Sequence, residues 1–419
     1  MQKIILKNTI VNGYRVEFDY DYPEEWGDFI VDPTEKLFAE YDFLLHDIPK
    51  SILNILFVSN VMLLAMFHNG VIILDELDKS FYDSIPNILN GYRELYPDRN
   101  INITINCSDI KSYQLKKTNK KIVAFTGGVD ATSAVASHIN EDLIIANIWG
   151  GDIKLDNPIR HNAHVKYFEQ FAKEHRYCFH SVSSNFRFIY DDRYIPDHFN
   201  HDWWCAIGHS VLIPVFLIPL ACKYKANIYL ASTYTKKEYS ENIIHDCNYY
   251  GIVNSIRFSN LKTIQCDENI SRSEKIINII SAFNPKKTGE IQLLSCWNHK
   301  KNSIVNCCNC EKCYRTIMDI KSNQFDPELL GYNVDDDIYK RIKVYLSTKN
   351  DLPCDMWRDI QNKFLENKKI WKKDKQVGWI LKIKINEPSK NNKLLYPVYK
   401  RFYWKLREIG GRAKRKVFR

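Results

Sequence analysis

The chain has 419 residues, 45% hydrophobic and 26% charged, with 15 Gly and 14 Pro. That composition excludes a disordered or collagenous chain, the absence of a 20–50-residue period excludes a solenoid, and the length suggests two or three domains. The formal net charge is +9, but residues 397–419 carry nine Lys or Arg against the single acid Glu408, so the body is nearly neutral and no sequence-specific nucleic-acid surface is expected.

The opening segment, MQKIILKNTIVNGYRVEFDYDY, reads as two strands joined by a turn at Asn12-Gly13, not as a secretory leader. A cytoplasmic location is therefore expected, where the 12 cysteines stay reduced and clustered ones suggest a metal. Ser51–Leu74 reads as a buried helix, a turn at Asn69-Gly70 and the strand Val71–Leu74. A polar, basic break, Lys116–Lys121, follows the first 115 residues.

Beyond the break, strands alternate with helices. The strands are Ile122–Phe125, Leu143–Ile148, Tyr177–Val182 and Ile228–Ala231; the helices begin at Ala131 and cover Pro158–Arg176 and Trp204–Lys223. This alternation predicts an α/β fold, a parallel sheet covered by helices on both faces. Cys205–Cys222 has no formal charge over eighteen residues, yet it contains His209, Pro214 and Pro219 and leads straight into a strand, as a buried helix does. A helix is expected over 271–283, opened by the capping box Ser271/Glu274. Residues 326–390 read as helical and charged, with Asp335–Asp337 a loop or cap.

The first motif is Phe125-Thr126-Gly127-Gly128-Val129-Asp130-Ala131-Thr132, between a strand and a helix. Two glycines let backbone approach a phosphate, and successive amides at a helix start form an anion nest. Thr126 and Thr132 add hydroxyl donors, while Asp130 would act through Mg²⁺ or orient the loop. No Gly-Lys-Ser/Thr follows, so it is not a Walker A loop. The bland reading is a tight turn that binds nothing. Trp149 and Gly150 close the second strand, where an adenine or substrate would sit, although an ordinary β–α turn accounts for them equally. Lys236 and Lys237 follow the strand Ile228–Ala231 and are candidates to stabilise departing pyrophosphate; Arg272 and Lys275 are further phosphate candidates. His209 reads as core packing, and Asp246 and Cys247 show no partner at useful spacing.

The second motif is Cys296, Cys307, Cys310 and Cys313, spaced C-x10-C-x2-C-x2-C. Four thiolates satisfy tetrahedral zinc in a closed structural site. An iron–sulfur cluster is the competing occupant, and Cys308 and His299 are alternative ligands.

The glycine loop resembles the Ser-Gly-Gly-x-Asp-Ser loop of PP-loop ATP pyrophosphatases, with Thr126 for the first Ser and Ala131 for the last. Followed by the cysteine cluster, and by Cys310-Glu311-Lys312-Cys313-Tyr314-Arg315, it resembles the 7-cyano-7-deazaguanine synthase-like family over about Lys120–Lys321, in the form that carries an extra N-terminal domain. The resemblance implies an adenine nucleotide alpha hydrolase-like fold, ATP with Mg²⁺ and Zn²⁺ as cofactors, and adenylation of a carboxylate or amide with release of AMP and pyrophosphate. The relatives occur in deazapurine, surface-polysaccharide and antiviral-defence settings. With the positional candidates added, Asp130, Lys236, Lys237 and Arg272 are expected in catalysis and Thr126, Gly127, Gly128, Val129, Asp130, Thr132, Trp149 and Gly150 in nucleotide binding. The four-cysteine set Cys296, Cys307, Cys310 and Cys313 binds zinc, the partner is a small-molecule or peptide substrate with a carboxylate or amide, and a homodimer is admissible. The rival reading is a non-catalytic nucleotide-sensing or partner-binding protein on the same fold, which Ala131 favours.

The expected organisation is an N-terminal α+β domain at 1–115, a PP-loop domain with its zinc-bound segment at 116–325, a helical region at 326–393 and a basic tail at 394–419. In the tail, Val398, Phe402, Leu406 and Ile409 share one helical face, Tyr399, Tyr403 and Trp404 widen it, and a basic cluster follows Gly410-Gly411. That pattern fits a peripheral anchor at the anionic inner face of a membrane; a tail docked on its own body is the alternative.

Overall fold

The apolar alternation near the N-terminus forms the antiparallel pair β1 (Lys3–Asn12) and β2 (Arg15–Asp21), turning at Gly13 with φ +57°. The computed structural model describes residues 2–32, 34–190, 203–241, 244, 246–288, 290–296, 304–349 and 352–385. These fall into two compact units: the described residues up to Asn284 together with Ile304, and the remaining described residues from Pro285 onward.

In the first unit, β3 (Leu37–Tyr41), α1 (Lys50–Ala65), β4 (Val71–Asp78), α2 (Lys79–Leu95) and β5 (Thr104–Lys111) complete the N-terminal part. Then come β6 (Lys121–Ala124), α3 (Val129–Ala136), β7 (Leu143–Trp149), α4 (Pro158–His175) and β8 (Cys178–Ser184). A π-helical turn at Trp204–Gly208 leads into α5 (His209–Phe216), α6 (Ile218–Tyr224), β9 (Asn227–Ala231), α7 (Lys236–Glu241) and α8 (Tyr250–Val253). The unit ends with β10 (Arg257–Phe258), β11 (Leu261–Cys266) and α9 (Arg272–Phe283).

The eleven strands among the described residues lie in one mixed, mostly parallel sheet, ordered β10-β11-β9-β6-β7-β8-β3-β2-β1-β4-β5. The expected boundary at 115 is therefore not a break in the sheet: β3 pairs antiparallel with β8, Ala39 opposite Ser184, and joins residues 1–115 to the parallel strands that follow. The edges of both halves carry unpaired backbone groups, and pairing them satisfies those groups and merges the cores. The carboxylate of Asp78, at the end of β4, also accepts the Ser259 N–H of the β10–β11 turn at 3.0 and 3.1 Å, and Asn260 exchanges hydrogen bonds with the backbone of Leu115. Contacts between the two ends of an eleven-strand order require a strongly curved sheet.

Helix α1 is buried on every side from Ser51 to Ala65. Two of its polar interruptions are engaged, Asn54 with Thr9 and the Glu76 carbonyl and the Asn60 amide N–H with the Phe186 carbonyl, whereas the Ser59 hydroxyl has no partner among the described residues. Trp204–Tyr224 is long and apolar enough to cross a membrane by length and composition, with mean hydropathy 2.1, and its most apolar window is 83% buried within the protein. The single helix expected there is instead broken at Leu217, because Pro219 in the first turn of α6 has no N–H to continue the ladder.

The second unit holds α10 (Glu311–Ser322), α11 (Ile338–Thr348), α12 (Cys354–Glu366) and α13 (Lys368–Trp371), with 3₁₀ turns at Pro327–Leu330 and Gly378–Leu381. The cysteine segment belongs with these helices and not with the glycine-loop unit, so the expected boundary at 325 moves to about 284. Asn306 explains this locally: its amide bridges the Leu293 and Gly331 carbonyls at 2.7 and 3.1 Å, fastening the cysteine loop to residues beyond 325. Asp337 is the N-cap of α11, and Asp335 beside it takes a two-pronged ion pair from Arg341.

Candidate functional site

Strands β11, β9, β6, β7 and β8 are mutually parallel in that order. From β6 the chain adds β7 and β8 on one side, then β9 and β11 on the other, so the order reverses between β6 and β9. Open α/β sheets bind ligands outside the carboxyl ends of the strands at such a reversal. The glycine loop leaves β6 at this point. Gly127 has φ +72°, a region where a side chain is strained, and Gly128 is the extended N-cap of α3. The Gly128 N–H lies 3.5 Å from the exposed Thr126 hydroxyl, Val129 is buried, and Thr132 is 2% exposed with no hydrogen-bond partner for its Oγ1 among the described residues.

Asp130, in the first turn of α3, faces two cations from α9: Arg272 at 3.2 Å and Lys275 at 3.3 Å. The Lys275 ammonium is buried and also donates to the Ser232 carbonyl at 2.6 Å. Asp130 is thus held between two cations of α9. Helix α9 starts with the expected capping box at Ser271 and Glu274, which aims Arg272 and Lys275 at the same helix end. Asp267, just past β11, accepts from Ser133 at 2.5 Å and Ser137 at 2.7 Å, and its carbonyl accepts from Ser232. The loops after β6, β9 and β11 are thereby tied together.

Lys236 is engaged by Glu268, 2.5 Å away, and lies over the Tyr250 ring. Lys237 is 78% exposed, 3.8 Å from Glu241 on its own helix, the geometry of a solvated surface lysine. Trp149 stacks on His161, centroids 4.2 Å apart and planes within 6°, and its Nε1 donates to the Lys154 carbonyl. Gly150 has φ +101°, and a Cβ there would meet the Ser184 carbonyl oxygen at 1.7 Å, so its need for glycine is met by the turn itself. Burial holds His161 and His164 near pKa 4, hence neutral, at the start of α4.

In the second unit the sulfurs of Cys296, Cys307, Cys310 and Cys313 lie within 4.8 Å of one another. Zinc–sulfur bonds of about 2.3 Å in a tetrahedron set sulfurs about 3.8 Å apart, and Cys307 and Cys313 stand at 3.9 Å. The cluster fits a four-thiolate metal such as zinc. Burial and the neighbouring thiols push the Cys307 thiol up to about 11, a cost that a cation removes. Cys308 has φ +48° and directs its sulfur to the Asn306 carbonyl, away from the cluster, which decides between it and Cys307. The buried Arg315 closes on Glu311, 3.1 Å away, and Trp357 donates to the same carboxylate. The candidate His299 and the tail 394–419 lie outside the described residues.

One cluster escaped the sequence reading. His209, set down as packing, and Asp246 and Cys247, set down as unpartnered, come together: His209 Nδ1 is 3.2 Å from Cys247 Sγ and Nε2 is 3.4 Å from Asp246 Oδ1. No local spacing signals a meeting across 38 residues. No protein-family model, curated protein or solved structure matches the chain.

Proposed function

We propose that the chain is an ATP-dependent, PP-loop enzyme of the 7-cyano-7-deazaguanine synthase-like kind, which activates a carboxylate or amide by adenylation and releases AMP and pyrophosphate. The observation that carries this reading is the position of the glycine loop: a positive-φ Gly127 and an extended Gly128 leave β6 at the strand-order reversal and open α3. Phosphates would lie on the loop amides and the start of α3, with Thr126 beside them. Asp130, Arg272 and Lys275 hold that loop in shape. Adenylation needs no protein nucleophile, so alignment and charge stabilisation are the enzyme's contribution. Mg²⁺ would accompany ATP, and zinc on the four cysteines would hold its segment without taking part in the reaction. A cytoplasmic site of action and membrane attachment through 394–419 belong to the same proposal.

The test is isotopic. With α-labelled Mg·ATP and a panel of carboxylates and amides, labelled AMP and pyrophosphate are expected; ADP and phosphate would overturn the reading. Saturating ATP should also raise stability, by about 2.7 kcal/mol at a hundredfold excess over Kd. The rival, a nucleotide sensor without turnover, is favoured by Ala131 and by the engagement of Asp130 by two cations. Stabilisation by ATP with no pyrophosphate from any substrate would select it.

A further inference from the structure

We propose that Cys247, His209 and Asp246 form a nucleophilic triad that takes the acyl group of the activated substrate as a thioester; the acyl donor, though not the triad, rests on the adenylation reading above. His209 Nδ1 lies 3.0 Å from the Trp204 carbonyl, which can only accept, so this nitrogen carries a proton and presents it to the sulfur 3.2 Å away. Nε2 faces a carboxylate oxygen of Asp246, which orients the ring. Ser210 supplies a second donor to the sulfur at 3.3 Å. A base beside the nucleophile and a third group orienting the base is the arrangement that activates a thiol.

The charged and titratable surroundings leave this pair undisturbed. Burial opposes a charge on His209, but Cys247 and Asp246 outweigh it and raise the ring to about 10. Tyr92, Tyr96 and Tyr239 face the group and donate to the carbonyls of Ile207, Ala206 and Asp246, and burial keeps all three phenols neutral. Cys205 contributes its carbonyl, which accepts the Cys247 N–H.

Location links the triad to the ligand edge. Asn248, next in the chain to Cys247, accepts the Thr233 N–H at 2.8 Å and donates to the Ala231 carbonyl, fastening the thiol's segment to the carboxyl end of β9. Cys247 itself is fully buried, and the His209 and Asp246 side chains keep 14% and 17% exposure. In the step proposed, the thiolate attacks the acyl carbon of an acyl-adenylate, a C–S bond forms, and AMP leaves with the electrons of the broken C–O bond. An amine then displaces the thiolate and loses its proton to solvent, which restores the thiolate beside protonated His209.

p-Nitrophenyl acetate tests this without ATP. The full-length protein should release p-nitrophenolate in a burst and carry a hydroxylamine-labile acetyl group on Cys247, located by peptide mass spectrometry, ahead of the exposed Cys178. Cys247→Ala should abolish the burst. His209→Gln should slow it about tenfold or more at pH 7, with the deficit shrinking as pH rises and thiolate forms unaided; Asp246→Asn serves if that variant does not fold. No acetyl on Cys247 in the folded wild type, or a rate indifferent to both substitutions, overturns the triad. Failure of adenylation with Cys247 acetylated would overturn only the proposed source of the acyl group.

Discussion

Lys275 places its ammonium 3.3 Å from an oxygen of Asp130 and 2.6 Å from the carbonyl of Ser232, and is itself only 1% exposed. A buried ammonium survives only when paired and hydrogen-bonded. Helix α9 therefore locks the loop after β9 to the start of α3, beside the glycine loop.

Removing one partner leaves the other charge uncompensated. Asp130→Ala is expected to cost about 3 kcal/mol, at the low end for a buried pair because Asp130 keeps 26% exposure. Asp130→Asn, which still accepts hydrogen bonds, should cost less. Urea unfolding of both variants checks the order; equal midpoints would remove the ion pair from this account.

Gly150→Ala combines φ +101° with a Cβ 1.7 Å from the Ser184 carbonyl. A loss of about 3 kcal/mol or more is expected, with a Tm fall of about 6 °C or more. Gly27→Ala, with nothing within 4 Å of the added carbon, should be nearly silent in the same scan.

Elemental analysis should find about one zinc per chain, as a four-thiolate site implies. Cys313→Ser should lose the metal and much of the second unit's fold, because metal binding is part of folding free energy. Cys308→Ser, whose sulfur faces the Asn306 carbonyl, should keep it. Because bound ligands must be thiolates, acid should release the zinc as protons compete.

Burial lowers His161 and His164 from 6.5 to about 4, so the unfolded chain binds their protons first as pH falls. Their contribution to stability is complete above about pH 6.5, is lost progressively towards pH 4 and is constant below it. His209, raised to about 10, acts oppositely: its contribution is complete below 6.5 and is lost as pH rises to about 10. Denaturation midpoints measured from pH 4 to 10 should show the acid slope flatten in a His161→Phe, His164→Phe double variant and the alkaline slope persist.

Local periodicity reported the elements well. The strands at 122–125, 143–148 and 228–231, the buried helix before Asn69-Gly70, the capped helix after Ser271 and the C-x10-C-x2-C-x2-C cluster were all legible, because each depends on residues a few positions apart. Partnership across the chain was not. Nothing in Leu37–Tyr41 names β8 as its neighbour, so the N-terminal strands read as a separate domain; only the folded sheet shows that two open edges pair. Hydropathy marked Trp204–Tyr224 as apolar but not its break at Leu217, which follows from the missing N–H of Pro219. Spacing made Lys236 and Lys237 candidates, yet an ion pair engages the first and solvent surrounds the second. His209 and Cys247, 38 positions apart, meet because the start of α5 and the segment just before α8 pack together. A sequence pattern records which face of an element is buried, whereas which side chains meet there is decided by strand order and helix docking.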